Sequence, residues 1–317
     1  MENENIKKGI FFGIFGILCG GITPIIANSR PESIDAYLFA AITAIVQVFV
    51  FFPLMMIERK KIKSDFKNEF ITIEDRDSYL YGFKKNIPLL VFAGISFGIS
   101  FILFFTGYKL AGAINGSLIL KTTIFFSLIF DWFLLHEKIS IKQIIFSIVL
   151  FFGLFLAITQ ASFDILELNV GVLILLSVSG IWIFTHSISK PMLERKEITS
   201  IQFVCIRNFF SSLFLISTYF LFYPLSNINL LLNSLNIFYG ILMGAVYGIG
   251  LYFWYKILEN INVSKATIMI SANILVTAAL ALLFLGEIFT IYHLIGTILI
   301  ITSIIVIVNP MKKEKSI

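Results

Sequence analysis

The sequence predicts an all-α integral membrane protein of ten transmembrane helices, arranged as two inverted five-helix repeats. Three observations predict it. The 317 residues are 58% hydrophobic and only 14% charged, with a mean hydropathy of +0.94, whereas soluble domains run near half apolar and a quarter charged. The apolar residues fall into ten stretches, each of about the 20 residues that cross a hydrocarbon core of ~30 Å. The second half also restates the first: Gly94, Gly98, Leu135 and Glu137 reappear 150 residues later as Gly244, Gly248, Leu285 and Glu287. Five spans per half is an odd number, so the two copies enter the bilayer with opposite orientation. Carriers that expose one site to alternate sides of a membrane are built on such repeats.

The spans are 7–28, 36–57, 87–109, 112–135, 140–160, 170–190, 199–223, 236–257, 264–286 and 289–309. In lipid a segment must satisfy its own backbone polar groups, so each is a helix. The first repeat occupies 1–160 and the second 161–317. Span 1 follows Lys7-Lys8, but the run is too long for a signal peptide and lacks a small-residue cleavage site, which makes it a retained helix. Pro24, close to Gly20-Gly21, predicts a kink there. Span 2 leads into 58–86, where Glu58-Arg59-Lys60-Lys61 and Glu74-Asp75-Arg76-Asp77 read as a solvated cytoplasmic loop with a short interfacial helix near 76–86. Span 3 carries Gly94 and Gly98, and span 8 carries Gly240, Gly244 and Gly248. Small residues at this spacing let helix backbones approach closely in lipid.

Span 4 holds Lys121 near its middle, where a cation costs ~2.5–3.5 kcal/mol on insertion scales. Such a charge faces a cavity or a partner. Ser117 lies four residues earlier, and the 150-residue offset maps this pair onto Thr267 and Ser271 in span 9. Asn273 is a further deep polar group of that span. Asp131 is the one carboxylate within a span, close to the cytoplasmic end. Span 6 presents Ser179, Trp182, His186 and Ser189 on one continuous face, and span 1 offers the smaller Thr23 among glycines. Span 7 carries Arg207, expected to reach headgroups or backbone carbonyls near the cytoplasmic end. Tyr247 is the deepest tyrosine of span 8. The candidate substrate contacts are therefore Lys121, Ser117, Thr267, Ser271, Asn273, Trp182, His186, Tyr247 and Thr23.

The net charge of +5 is a topological signal and not a nucleic-acid one. Of the 24 Lys and Arg residues, 20 fall in segments on the side of the N-terminus, while the opposite loops hold only Arg30 and Lys109. Positive residues are retained in the cytoplasm, so both termini are expected inside a multi-pass cell-membrane protein. Cys19 and Cys205 lie within spans and imply no disulfide framework. His136, His186 and His293 have no second ligand at metal spacing, and no nucleophile–base pair or acid pair forms. No metal, cofactor or catalytic centre is expected. The expected partners are the lipid bilayer and a small-molecule substrate; the oligomeric state stays open. A channel or lipid scramblase is the alternative on the same scaffold, although nothing resembles a selectivity filter.

An acidic residue closes spans 4 and 9, in His136-Glu137-Lys138 and Gly286-Glu287, and a hydrophobic span follows each time. With the two five-span repeats, this resembles the drug/metabolite transporter superfamily, in its ten-helix EamA-type branch, over nearly the whole chain. The first copy departs in having His136 where the family favours glycine. The resemblance implies a carrier in which spans 1, 3, 4, 6, 8 and 9 surround a central cavity, with 5 and 10 peripheral. Members move amino acids, nucleotide sugars, other metabolites and cationic drugs. Two intramembrane cations against one acid favour solutes bearing a carboxylate or phosphate.

Overall fold

Backbone groups in lipid must bond within their own segment, and the regular structure found is entirely helical among the described residues. The computed structural model describes residues 2–68, 70, 72–135, 139–162, 169–258 and 270–308. Its helices are α1 (Glu2–Asn28), α2 (Ala36–Lys67), α3 (Ile73–Tyr81), α4 (Ile87–Ala111), α5 (Ala113–Ile119), α6 (Thr123–Leu135), α7 (Ile141–Ile158), α8 (Val170–Glu194), α9 (Ser200–Phe222), α10 (Ser234–Leu258), α11 (Asn273–Phe284) and α12 (Ile291–Val308). Among the described residues, eight helical stretches are long and apolar enough to cross a membrane, and two shorter apolar helices lie at Asn273–Phe284 and Ile291–Ile307. The protein is a multi-pass membrane protein.

Two compact units form. The first comprises Met1–Asn28, Gly107–Ser179 and Phe253–Ile317; the second comprises Ser29–Thr106 and Gly180–Tyr252. Each draws on both halves of the sequence.

In the first unit α1 packs on α11 through glycine. A Cβ on Gly21 would lie 2.5 Å from Val276 Cβ, and one on Gly20 would lie 2.8 Å from Asn273 Nδ2. α7 runs along α12, with the backbones of Gly153 and Gly296 in contact: a Cβ on Gly296 would meet the Gly153 carbonyl at 2.5 Å. Ser140 starts α7 with a reciprocal capping box to Gln143, which satisfies two otherwise orphaned N–H groups. α1 runs unbroken through Pro24.

In the second unit α2 lies along α9, and both glycine stripes do what small residues in lipid are expected to do. A Cβ on Gly94 would lie 2.5 Å from Phe210 Cβ and 2.9 Å from the Arg207 carbonyl. A Cβ on Gly244 would lie 2.5 Å from Val46 Cβ and 3.0 Å from the Thr43 carbonyl. Substitution at either would push whole helices apart.

The segment 58–86 differs from the expected loop. α2 continues through Glu58–Lys67, a stretch of good helix formers, and Arg59 Nη1 donates to the Leu80 carbonyl at 3.0 Å. The short helix begins at Ile73, capped by Thr72, and a 3-10 turn follows at Gly82–Asn86. This segment docks on the α8–α9 connection: Asn86 Nδ2 donates to Glu197 Oε2 at 2.7 Å, Ser78 to the Lys196 carbonyl at 3.0 Å, and Thr199 to Glu58. The Arg195 guanidinium, bonded to Glu197 at 3.1 Å, and then Asn86 hold that carboxyl below its ordinary range.

Candidate functional site

The local sequence Leu120-Lys121-Thr122-Thr123 explains the first feature of the site. Threonine hydroxyls compete for nearby backbone carbonyls and tighten a helix. Here Thr122 Oγ1 donates to the Ile119 carbonyl at 2.7 Å, and Thr123 Oγ1 to the Leu120 carbonyl at 2.9 Å. The expected span 4 runs through as one helical stretch, Ala113–Leu134, but tightens within it: α5 ends at Ile119, Leu120–Thr122 form a 3-10 turn, and α6 begins at Thr123. Span 9 shows a turn at Ala272, and α11 begins at Asn273, 150 residues after Thr123. Discontinuous helices at corresponding places in two halves mark substrate sites in carriers of known mechanism.

Lys121 sits in the first of these turns, half-buried. Its Nζ donates to Asn273 Oδ1 at 2.6 Å. Among the described residues this is its one hydrogen bond, and no carboxylate pairs with it. An ammonium carries three donors, so two remain. Ser117 is 5% exposed and donates to Thr277 Oγ1 at 3.4 Å; the Tyr108 hydroxyl lies 3.4 Å from the same serine. Thr277 in turn donates to the carbonyls of Gly21 at 3.1 Å and Asn273 at 3.2 Å. Ser271 is buried. Thr23 is buried too, but its hydroxyl is satisfied within α1 by the Cys19 carbonyl at 2.8 Å. From the sequence, Lys121 and Ser117 are expected to oppose Thr267 and Ser271; the bonds among the described residues join Lys121 to Asn273 and Ser117 to Thr277. Thr267 and Glu137 lie outside the described residues, as does the side chain of Asp131.

The Gly286-Glu287 pair acquires a physical role. Gly286 takes φ +68°, a left-handed conformation open to glycine, and ends α11 so that Glu287 turns back onto α5. The Ala113 N–H donates to Glu287 Oε1 at 2.6 Å and the Ile114 N–H to Oε2 at 2.9 Å. Asn28 Nδ2, at the end of α1, donates to Oε1 at 3.3 Å and to the Tyr108 carbonyl at 3.2 Å. Gly112 makes room: its φ is +83°, and a Cβ there would lie 3.1 Å from the carboxylate. A carboxylate thus caps the helix that leads into Lys121. Tyr108, Thr277 and Asn28 escaped the sequence reading; Thr277 was findable, one turn after Asn273 on the same helix.

Trp182, His186 and Tyr247 come together in the second unit as part of an aromatic cluster. Trp182 stacks on Phe97 at 6.5 Å between centroids and tilts over Phe104 at 5.5 Å; His186 meets Phe97 edge-on at 5.4 Å; Tyr247 meets Phe101 at 5.5 Å. His186 is exposed and the Trp182 indole N–H has no hydrogen-bond partner among the described residues. Arg207 does not reach headgroups as expected. It is 0% exposed, with its guanidinium 3.7 Å from the Phe97 ring centroid, a cation–π contact.

The EamA-like transporter family matches the chain twice, over residues 7–159 and 169–309. Curated proteins give no match. Among solved structures 21 chains match; one, a crystal structure of a protein, is 15% identical, covers 95% of this chain and 96% of its own, and superposes with a TM-score of 0.59. At that identity the likeness concerns the fold.

Proposed function

The chain belongs to the EamA-like transporter family and is a multi-pass membrane transporter; we propose that it is a secondary carrier of a small organic metabolite bearing a carboxylate or phosphate, working by alternating access. The observation that carries this reading is the Lys121 ammonium, placed at a helix break, held by one neutral amide oxygen and keeping two donors in hand. An anionic group supplies the missing counter-charge. Amino acids belong among the candidates, since each brings a carboxylate. Ser117, Ser271 and Asn273 are the further contacts we assign, together with Thr267. Within the second unit, taken by itself, Trp182, His186 and Tyr247 are the remaining candidates, an aromatic group able to stack on a planar ring.

The proposed architecture is ten helices in two inverted repeats, 1–160 and 161–317. It is supported by the helix breaks that resume at Thr123 and Asn273, and by equivalent glycine contacts. Gly94 faces Arg207 and Phe210, and Gly244 faces Thr43 and Val46, so helices α9 and α2 meet the repeated glycine with the same three-residue spacing. The split of basic residues supports a cell-membrane orientation with both termini cytoplasmic.

The test begins with a thermal-stability screen of the purified protein against organic acids, sugar phosphates and amino acids, because a ligand of the folded state raises the melting temperature by mass action. Stabilising compounds then enter counterflow assays in liposomes. Saturable counterflow is the expected result; unsaturable flux would identify a channel or scramblase, and no stabilisation by any anion would remove the Lys121 site.

A further inference from the structure

We infer that Glu287 is the positioning residue of the substrate helix: its carboxylate, by charge as well as by shape, holds α5 against the end of α1 and so sets where Ser117 and Lys121 stand. The inference rests on the reading of Lys121 as the site, but its geometry is independent of any ligand. α5 has only seven residues, and a helix that short has little stability of its own. It joins α6 through the tighter 3-10 turn at Leu120–Thr122. What fixes its other end is the Glu287 carboxylate, which accepts from two successive N–H groups at 2.6 and 2.9 Å. Asn28 ties that carboxylate to α1 at 3.3 Å.

Charge matters at this place for two reasons. Hydrogen bonds to a carboxylate are stronger than those to a neutral oxygen, and the first N–H groups of a helix carry partial positive charge. A glutamine in the same place keeps one acceptor but turns an amide N–H₂ towards a backbone N–H, so one of the two bonds is lost outright. Gly112 and Gly286, both left-handed, are the two backbone positions that allow the carboxylate to approach. The paired glycine and glutamate after α11 therefore act on the chain 174 residues upstream, at the foot of the helix that leads to Lys121. Glu287 touches no substrate in this account; it works through α5.

The experiment needs no ligand. In a background with Cys19→Ala and Cys205→Ala, two single-cysteine reporters are made: Ser117→Cys on α5, and Ser147→Cys on α7, a position 4% exposed in the same unit. Their alkylation rates by a small membrane-permeant maleimide are compared with Glu287 intact, as Glu287→Gln and as Glu287→Asp. Loss of a charge-assisted cap predicts about a tenfold or greater rise at position 117 in Glu287→Gln. Position 147 should stay unchanged, and Glu287→Asp, which keeps the charge with a shorter reach, should give an intermediate rate. No rise at 117 overturns the inference. Equal rises at both positions overturn it as well, since they mark general loosening. The Lys121 site itself stands or falls on the binding screen, so the two failures are told apart.

Discussion

The two cations that the sequence places inside the membrane, Lys121 and Arg207, are held in opposite ways. Arg207 is fully buried in the second unit, its guanidinium carbon 3.7 Å from the Phe97 ring centroid, with a buried Asn208 beside it whose Nδ2 donates to Gln47 Oε1 at 2.9 Å. Lys121 in the first unit is half-buried at a helix break and bonded to one neutral amide. An arginine disperses its charge over a plane and stacks on a ring, whereas an ammonium is a compact charge that shifts between partners easily. One cation is built into the packing. The other is left incomplete, as a group awaiting a counter-ion is.

The largest effect that sharpens this contrast is on stability. Arg207→Ala empties a volume at the α4–α9 contact and removes the cation–π pair, so it should cost about 2–4 kcal/mol and lower the melting temperature in detergent. Retention of wild-type stability would break the comparison on the arginine side. Lys121→Ala should do the reverse: melting in the absence of ligand stays close to wild type, while affinity for a stabilising anion falls ~10–150-fold, the range of a charge-assisted hydrogen bond of ~1.5–3 kcal/mol. Lys121→Arg should restore it only in part. Failure of Lys121→Ala to fold would make the lysine a structural partner of Asn273.

The smallest expected effect lies in the cytoplasmic docking of 58–86 on Glu197. Arg195 and Asn86 lower the pKa of this carboxyl from its ordinary 4.5. A lowered folded pKa means that the contribution is fully present above the ordinary value and is lost as pH falls through the folded one. Glu197→Gln should therefore melt slightly below wild type at pH 7, and the gap should close between about pH 4.5 and more acid values. A gap that widens on acidification would contradict the assigned cause. Because this group is only part-buried, with 19% of its side chain exposed, solvent screening keeps the effect small.

Much of the fold could be read from the chain. Hydropathy located eight membrane-length stretches and two shorter apolar helices among the described residues, and the recurring glycines located the tight α4–α9 and α2–α10 contacts, because in lipid close approach is the main reason to keep glycine at that spacing. Lys121, Ser117 and Asn273 were also legible, each as a polar group too deep to be indifferent. Their pairing was not. A sequence offset finds equivalent positions, but the Lys121 ammonium donates to Asn273, two residues beyond Ser271, the position 150 residues on. The 3-10 turn that aims it arises from two threonine hydroxyls, a local competition that hydropathy does not register. Glu287 was visible as a motif and opaque as a mechanism, since its partners at Ala113 and Ile114 are brought to it only by the packing of α11 against α1.

The break at Leu120–Thr122 has an electrical consequence. α5 is seven residues long, about 10 Å at 1.5 Å per residue, and the hydrocarbon core is ~30 Å. In the proposed orientation Lys121 therefore stands about a third of the way in from the outer surface. An elementary charge that crosses the whole membrane gains or loses ~2.3 kcal/mol per 100 mV, so a monoanion arriving from outside meets only about a third of that, and one arriving from the cytoplasm about two-thirds. Membrane voltage therefore acts unequally on loading from the two sides: an interior-negative potential favours an anion reaching Lys121 from the cytoplasm about twice as strongly as it opposes one reaching it from outside.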